Sequence, residues 1–297
     1  MTTTGGIYLE RRSIMGVNVY DVINSRILEL LENGTVPWRR GWNVSSCMPR
    51  SLATKKEYRG INVFLLGCQE YSQPWFLTFN QIKERGGYVK QGMKASPIVF
   101  WRWMDSSDPD DKQKVPLLRY YNVFNVEQTE GVNYPELETT TNTFTPIETA
   151  EQIISSMPHR PMIQHHGNRA YYNHLSDTVT LPPQAAFQSA AEYYVTCFHE
   201  LTHSTMAENR LNRKATIQVH KFGDADYSKE ELVAEMGASF LCGHAGIENT
   251  TIDNSAAYIQ GWLKALKNDK TLLVHAAAQA QRSTDYILNV TTPTTED

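Results

Sequence analysis

The residues with the clearest chemical potential are His199-Glu200-Leu201-Thr202-His203, an HExxH run inside a stretch of helical periodicity. Positions four apart share one face of a helix, so both imidazoles can reach one ion while Glu200 points alongside them. A divalent ion lowers the pKa of a bound water to about 7, and a neighbouring carboxylate can take its proton as the water attacks a carbonyl carbon. Glu200 therefore reads as the catalytic base and His199 and His203 as metal ligands.

The site needs a third ligand, and the following helix, SKEELVAEMGASFL, offers Glu231 and Glu235 on one face. Either carboxylate could complete the set. Glu235 is preferred, because Ala234, Gly237 and Ala238 beside it would let this helix pack closely on the first, leaving Glu231 a supporting role. Zinc is the default ion for two histidines and a carboxylate, with manganese or cobalt as alternatives. His174 and Tyr227 are nearby groups that could hydrogen-bond a developing oxyanion.

A second chemistry is suggested upstream. Residues 34–102 hold 11 Lys and Arg against 3 Asp and Glu, and five of the six tryptophans, Trp38, Trp42, Trp75, Trp101 and Trp103, lie between 34 and 103. Cations interleaved with aromatic platforms suit single-stranded nucleic acid, whose exposed bases stack without much sequence preference. The residues expected to make contact are Trp38, Arg39, Arg40 and Trp42 of PWRRGW, then Lys55, Lys56, Tyr58 and Arg59, and Lys90 and Lys94. Of the strand aromatics Trp75, Phe76, Phe79, Phe100 and Trp101, about half should be core.

The elements that must position these groups divide the 297 residues into two parts. Residues 1–130 carry 17 basic against 13 acidic side chains, and residues 131–297 carry 11 against 19. Only the first part is suited to a polyanion. It begins with an amphipathic helix over about Val19–Asn33, then short aromatic and β-branched strands at Trp75–Phe79, Pro97–Trp103 and Arg119–Val126. Thr, Glu and Pro between 131 and 146 read as a linker. Residues 147–297 begin with a capped helix, form a hairpin at Ala170–Leu181, and continue as helices over about Ser189–Ala207, Lys229–Gly243, Ser255–Lys267 and Leu272–Leu288. The expected fold is α+β in two domains, a small α+β nucleic-acid-binding domain and a mainly helical zincin-like domain with a small sheet.

No apolar run is long enough to span a bilayer, and the N-terminus lacks the pattern of a secretory signal, so a cytoplasmic protein without membrane contact is expected. The four cysteines form no CxxC pair and read as reduced and structural.

PWRRGW, YRGINVFLL, WFLTFNQ, GGYVKQGMKASPIVFW and YNVFNVEQ resemble the N-terminal domain of ArdC-type antirestriction proteins of conjugative plasmids, a domain also found in plasmid primases. AYYN, DTVTLPP, AAEYYVTCFHELTHST, RLNR and EELVAEMGASFL resemble the metallopeptidase domain of the same family, so the resemblance covers nearly the whole chain. It implies an N-terminal domain that binds single-stranded DNA and a C-terminal domain similar to Spartan-type proteases acting on DNA-attached proteins. It further implies protection of incoming plasmid DNA from host restriction during conjugation. In it His199, Glu200 and His203 match the HExxH, and Glu235 matches the acidic residue of the downstream helix. The expected partners are single-stranded DNA, with duplex DNA second, and a protein substrate among restriction or other DNA-bound proteins. Two other readings stay open: a DNA-masking protein whose metal is mainly structural, and a peptidase acting on one regulatory protein.

Overall fold

In the computed structural model the described residues are 18–39, 48–69, 71–105, 114–135, 146–213, 225–247 and 256–290. They form a two-domain α+β protein. The first helix, α1 (Val19–Glu32), starts where the Asn18 side chain accepts a hydrogen bond from the Tyr20 N–H. It buries Ile23, Ile27 and Leu31, spaced four apart. A 3-10 turn at Pro37–Arg39 and a short helix α2 (Ile61–Gly67) follow.

The N-terminal sheet has the order β1-β2-β5-β4, built from β1 (Arg50–Ser51), β2 (Trp75–Thr78), β4 (Ser96–Asp105) and β5 (Lys114–Asn125). The long antiparallel pair β4–β5 runs from Ser96↔Val123 to Asp105↔Lys114. The outer edge of β4 is partly paired by a side chain: the Asn62 amide donates to the Val99 carbonyl at 2.6 Å and its oxygen accepts the Val99 N–H at 2.7 Å. Helix α3 (Phe79–Glu84) begins with a reciprocal Thr78–Gln81 capping box. A two-stranded ribbon joins β3 (Tyr88–Val89) to β6 (Thr129–Glu130), and it requires Gly87: a Cβ there would lie 2.4 Å from Val132 Cγ2 and 2.6 Å from the Glu130 carbonyl. Within the expected linker, Val132 is buried against this sheet and the Pro135 carbonyl accepts the Trp75 indole N–H at 3.1 Å.

The second domain opens with α4 (Pro146–Ser156) and a three-stranded sheet of order β7-β9-β8, from β7 (Met162–His165), β8 (Tyr171–Asn173) and β9 (Thr178–Leu181). The hairpin expected at Ala170–Leu181 is the antiparallel β8–β9 pair, with Asp177 at φ 49 in its turn. The helices are α5 (Ala190–Ser204), capped by Ser189, α6 (Ala225–Ala245), α7 (Ala256–Asn268) and α8 (Leu272–Ile287). Among the described residues no helix is long and apolar enough to cross a membrane.

Helix α6 is buried on every side from Leu232 to Cys242, the expected state of a helix that lies between two cores. Its residues Ala238, Leu241 and Cys242 join α4, α5 and β9 in one core. Leu232, Val233, Met236 and Phe240 join a second core made with α1, α2, α7 and α8. The N-terminal helices thus pack directly on the helix that follows the HExxH run. Phe64 of α2 stacks on Phe240 at 4.9 Å between ring centroids, and Asn24 of α1 donates to the Leu266 carbonyl of α7 at 3.0 Å.

Candidate metal centre

Helix α5 carries His199 and His203 one turn apart, and their Nε2 atoms lie 3.1 Å from each other. The approach of α6 is set by a small residue, as expected, and that residue is Gly237. A Cβ on Gly237 would sit 2.6–2.7 Å from the Thr202 side chain, so only glycine lets the two helices meet here. The close crossing brings the first turns of α6 over the imidazoles. Glu231 Oε2 lies 3.5 Å from His199 Nε2, and Glu231 Oε1 lies 3.4 Å from His203 Nε2.

These separations can be tested against an ion. Tetrahedral zinc with ligand bonds of about 2.0–2.1 Å has ligand–ligand edges of roughly 3.3–3.4 Å. The imidazole nitrogens are 3.1 Å apart, the two Glu231 contacts of 3.4 and 3.5 Å come one from each carboxylate oxygen, and one ligand atom from each of the three residues lies within 4.8 Å of the others. The residues fit a divalent ion. Among the described residues His199, His203 and Glu231 are the cluster able to hold one.

The geometry groups Glu231, and not the preferred Glu235, with the two imidazoles. Glu235 lies one turn deeper in α6, 7% exposed, and its Oε2 accepts the Trp38 indole N–H at 2.9 Å. The sequence placed both carboxylates on one face correctly. What decides between them is where along α6 the helices cross, and the Gly237–Thr202 contact aligns the turn carrying Glu231, not the next one, with the imidazoles.

Glu200 is 7% exposed, and its carboxylate makes no hydrogen bond to another described residue. Burial acts to lower the pKa of His203, yet the adjacent Glu230 and Glu231 carboxylates outweigh it and raise the imidazole to about 10. Burial acts to raise the Glu231 carboxyl, but its hydrogen bonds with His199 and then His203, and their charges, hold it well below the usual carboxylate range. His174 is exposed in the hairpin turn, and the side chain of Tyr227 lies outside the described residues.

Three residues near the centre, Glu230, Arg213 and Arg210, were not singled out by spacing. Glu230 Oε1 lies 3.3 Å from His203 Nδ1, and its other oxygen accepts from Arg213 Nη1 at 2.5 Å. Arg210, with a fully buried side chain, pairs with Asp177 through both terminal nitrogens at 2.8 and 2.7 Å and donates to the His159 and Ser204 carbonyls. It ties the β8–β9 turn to the end of α5. Both arginines belong to RLNR, the one sequence signal that could have found those two, whereas Glu230 has only its place beside Glu231.

The residues expected to contact nucleic acid divide. Trp38 is fully buried, edge-on to Trp262 at 5.8 Å, and cannot serve as a stacking platform. Tyr58 packs edge-on to Phe76, and burial pushes its phenol up to about 12, against a hydrogen bond with Ser51 that acts the other way. It too is a packing residue. Arg59 is paired with Asp285 of α8, Lys90 donates to the Glu127 carbonyl at 3.0 Å, and Lys55 lies 4.9 Å over the Trp75 ring. Lys56 and Lys94 are exposed. Arg40, Trp42 and the side chain of Arg39 lie outside the described residues, as does Cys47. Exposed aromatics of this domain include Phe79 (43%), Tyr88 (58%) and, on the β4–β5 hairpin, Phe100 (40%), which stacks on Tyr121 (43%) at 4.4 Å, with Trp101 (43%) on the opposite face of the strand. Tyr121 was not among the residues singled out in the sequence.

Comparison with known proteins follows the same division. A family model described as the N-terminal domain of anti-restriction factor ArdC matches residues 17–124, and one described as a zincin-like metallopeptidase matches 148–279. A DNA primase TraC from Escherichia coli is 33% identical over 292 residues, covering 91% of this chain and 27% of the primase, so the chain spans about a quarter of that relative. A metal-free crystal structure of the antirestriction ArdC protein from the R388 plasmid superposes with a TM-score of 0.74 at 34% identity, covering 93% of this chain and 100% of that one. The Mn(II)-bound structure of the same protein gives 0.73 at 33% identity, over 92% and 98%. Both halves of the chain and the arrangement that joins them are therefore shared with one protein along its full length, and the chain belongs to the ArdC antirestriction family.

Proposed function

We propose that this chain is an antirestriction factor that binds single-stranded DNA and uses a zinc-dependent peptidase site against proteins at that DNA, protecting plasmid DNA as it enters a host in conjugation. The observation that carries the enzymatic part is the convergence of one ligand atom each from His199, His203 and Glu231 within 4.8 Å of one another, with the buried Glu200 on the same helix as the histidines. His199, His203 and Glu231 would hold the ion, zinc by preference and manganese or cobalt as alternatives. When bound, the ion supplies Lewis acidity toward a carbonyl oxygen and lowers the pKa of a coordinated water to about 7. Glu200 accepts the proton of the attacking water and returns it to the departing amine. The outer edge of β8 offers backbone groups along which an extended peptide can lie.

For the nucleic acid, we assign base stacking to Phe100 and Tyr121, which share one face of the β4–β5 pair, rather than to Trp38 and Tyr58, with Lys56 and Lys94 as exposed cations. The excess of basic side chains in residues 34–102 supports a polyanionic ligand on this domain. The Mn(II)-bound relative from R388 supports a divalent ion in the second domain.

The test is protection of single-stranded and duplex DNA from a restriction nuclease, comparing wild type, Glu200→Gln and a Phe100/Tyr121 double alanine variant, with nuclease integrity followed on a gel. Loss of protection by Glu200→Gln, with the nuclease shortened only by wild type, is the expected result. Full protection by Glu200→Gln with failure of the double alanine variant would make DNA masking the mechanism and remove the peptidase from it.

A further inference from the structure

The reading of His199, His203 and Glu231 as a metal centre leaves unexplained why a buried ion pair stands directly behind it. Glu230 is 7% and Arg213 6% exposed. Withdrawing two charges from water costs several kcal/mol per ion before their attraction returns any of it, so the pair is an inefficient way to fasten two segments. Its placement suggests another use. Arg213 Nη1 holds one oxygen of Glu230 at 2.5 Å, while Arg213 Nη2 donates to the Thr202 carbonyl at 3.0 Å and to Thr205 Oγ1 at 2.8 Å. Those two acceptors flank His203 on α5. The other Glu230 oxygen lies 3.3 Å from His203 Nδ1. The arginine therefore clamps the carboxylate to the very turn of helix whose imidazole it faces.

We infer that Glu230, held by Arg213, is a positioning residue that fixes the tautomer and ring orientation of His203. With Nδ1 carrying the proton and donating it to Glu230, the lone pair of His203 is confined to Nε2, the atom that faces His199 Nε2 and Glu231 Oε1. A carboxylate acceptor on the far nitrogen also makes the ligating nitrogen more basic, and loss of such partners typically costs about 10–100-fold in metal affinity. The inference rests on the metal-centre reading and assigns to two adjacent glutamates different tasks: Glu231 binds the ion, and Glu230 aims the histidine that binds it.

The experiment is a competition titration of Zn(II) against a chromophoric chelator, with the full chain as wild type, Glu230→Gln and Arg213→Lys. Each folded variant is also loaded with Co(II) to read the ligand-field spectrum. Glu230→Gln preserves shape and one acceptor oxygen but removes the charge. The expected result is Zn(II) affinity lower by about 10–100-fold and a shifted Co(II) spectrum, with a smaller loss in Arg213→Lys, which keeps charge but not the fork geometry. A folded Glu230→Gln that binds Zn(II) as tightly as wild type with an unchanged spectrum would overturn the inference, leaving the pair a simple fastening. If Glu230→Gln does not fold, Arg213→Lys decides by the same two readouts. Absence of Zn(II) uptake by wild type would instead bring down the metal-centre reading beneath it.

Discussion

The metal helices and Trp38 of PWRRGW both announced themselves by residue type, yet the structure brings the two histidines together beside a carboxylate and buries Trp38. In α5 the spacing of His199 and His203 is a statement about helix geometry, and one helix suffices to make it true. In PWRRGW the interleaving of tryptophan and arginine says only that flat rings and charges are near one another in the chain. Whether a ring faces solvent depends on what packs against it, and Trp38 is covered by Trp262 and hydrogen-bonded to Glu235. A single contact, the Trp38–Glu235 bond, thus removes one residue from the expected DNA surface and one from the expected ligand set. Local periodicity can be trusted where the function needs one element, and much less where it needs two.

The largest expected effect tests the choice between the two carboxylates. Structural zinc sites with four ligands contribute about 10–16 kcal/mol, so losing one ligand should cost on the order of 3–4 kcal/mol. Glu231→Gln is expected to weaken Zn(II) binding accordingly, by two to three powers of ten. Glu235→Gln should leave affinity nearly unchanged and lower the thermal midpoint instead. Titration calorimetry of both variants decides, and the reverse ordering would restore Glu235 as the ligand.

A second effect follows from the helix crossing that makes that choice. Gly237→Ala improves helix propensity but drives a methyl into Thr202, and overpacking of this kind costs about 1–3 kcal/mol. Urea denaturation should show the loss in the metal-free protein. Because the crossing sets the distance from Glu231 to the imidazoles, Zn(II) affinity should fall as well; a Gly237→Ala variant with native affinity would mean that the glycine only permits packing.

The two halves of the comparison can then be crossed. Trp38→Phe removes a buried donor to Glu235, for a loss of about 1–3 kcal/mol in stability, with single-stranded DNA affinity unaltered. Phe100→Ala with Tyr121→Ala should do the opposite, weakening oligonucleotide binding by about 1–3 kcal/mol per stacked base while unfolding shifts little. Fluorescence anisotropy with a labelled oligonucleotide, run beside melting curves, would expose an exchange of these roles.

What the sequence made legible follows the reach of each interaction. Helix α1 was readable from Ile23, Ile27 and Leu31, and the β8–β9 hairpin from alternation about a turn, because each is decided within a few residues. The start of α6 was not: Ser228 and Glu231 resemble a capping box, but the helix begins at Ala225. Glu230 and Arg213 carry no spacing rule, since their partnership spans a segment between α5 and α6 whose length no local pattern fixes. Nor could composition say that α6 would lie between two cores and join domains whose charges differ in sign.

The smallest effect concerns the side of the comparison that sequence read best. Cys197 of α5 and Cys242 of α6 sit in the core behind the metal centre. Burial pushes the Cys197 thiol from the usual 9.0 up to about 12, with Glu151 and Glu200 adding to it, and pushes Cys242 up as well. At pH 8 neither should react with an alkylating reagent in the native protein, and both should react in urea, as read by mass of the peptides that contain them. The sign of the pH dependence follows. A thiol whose folded pKa is raised favours the folded state fully below pH 9 and loses that contribution as pH climbs toward 12. Alkaline destabilisation should therefore be shallower in Cys197→Ala, which has no thiol to ionise, once its own cavity cost is subtracted at pH 7. Rapid native-state labelling at Cys197 would mean that the α5–α6 contact opens readily, and a metal centre built on that contact would have to be assembled by the ion rather than awaiting it.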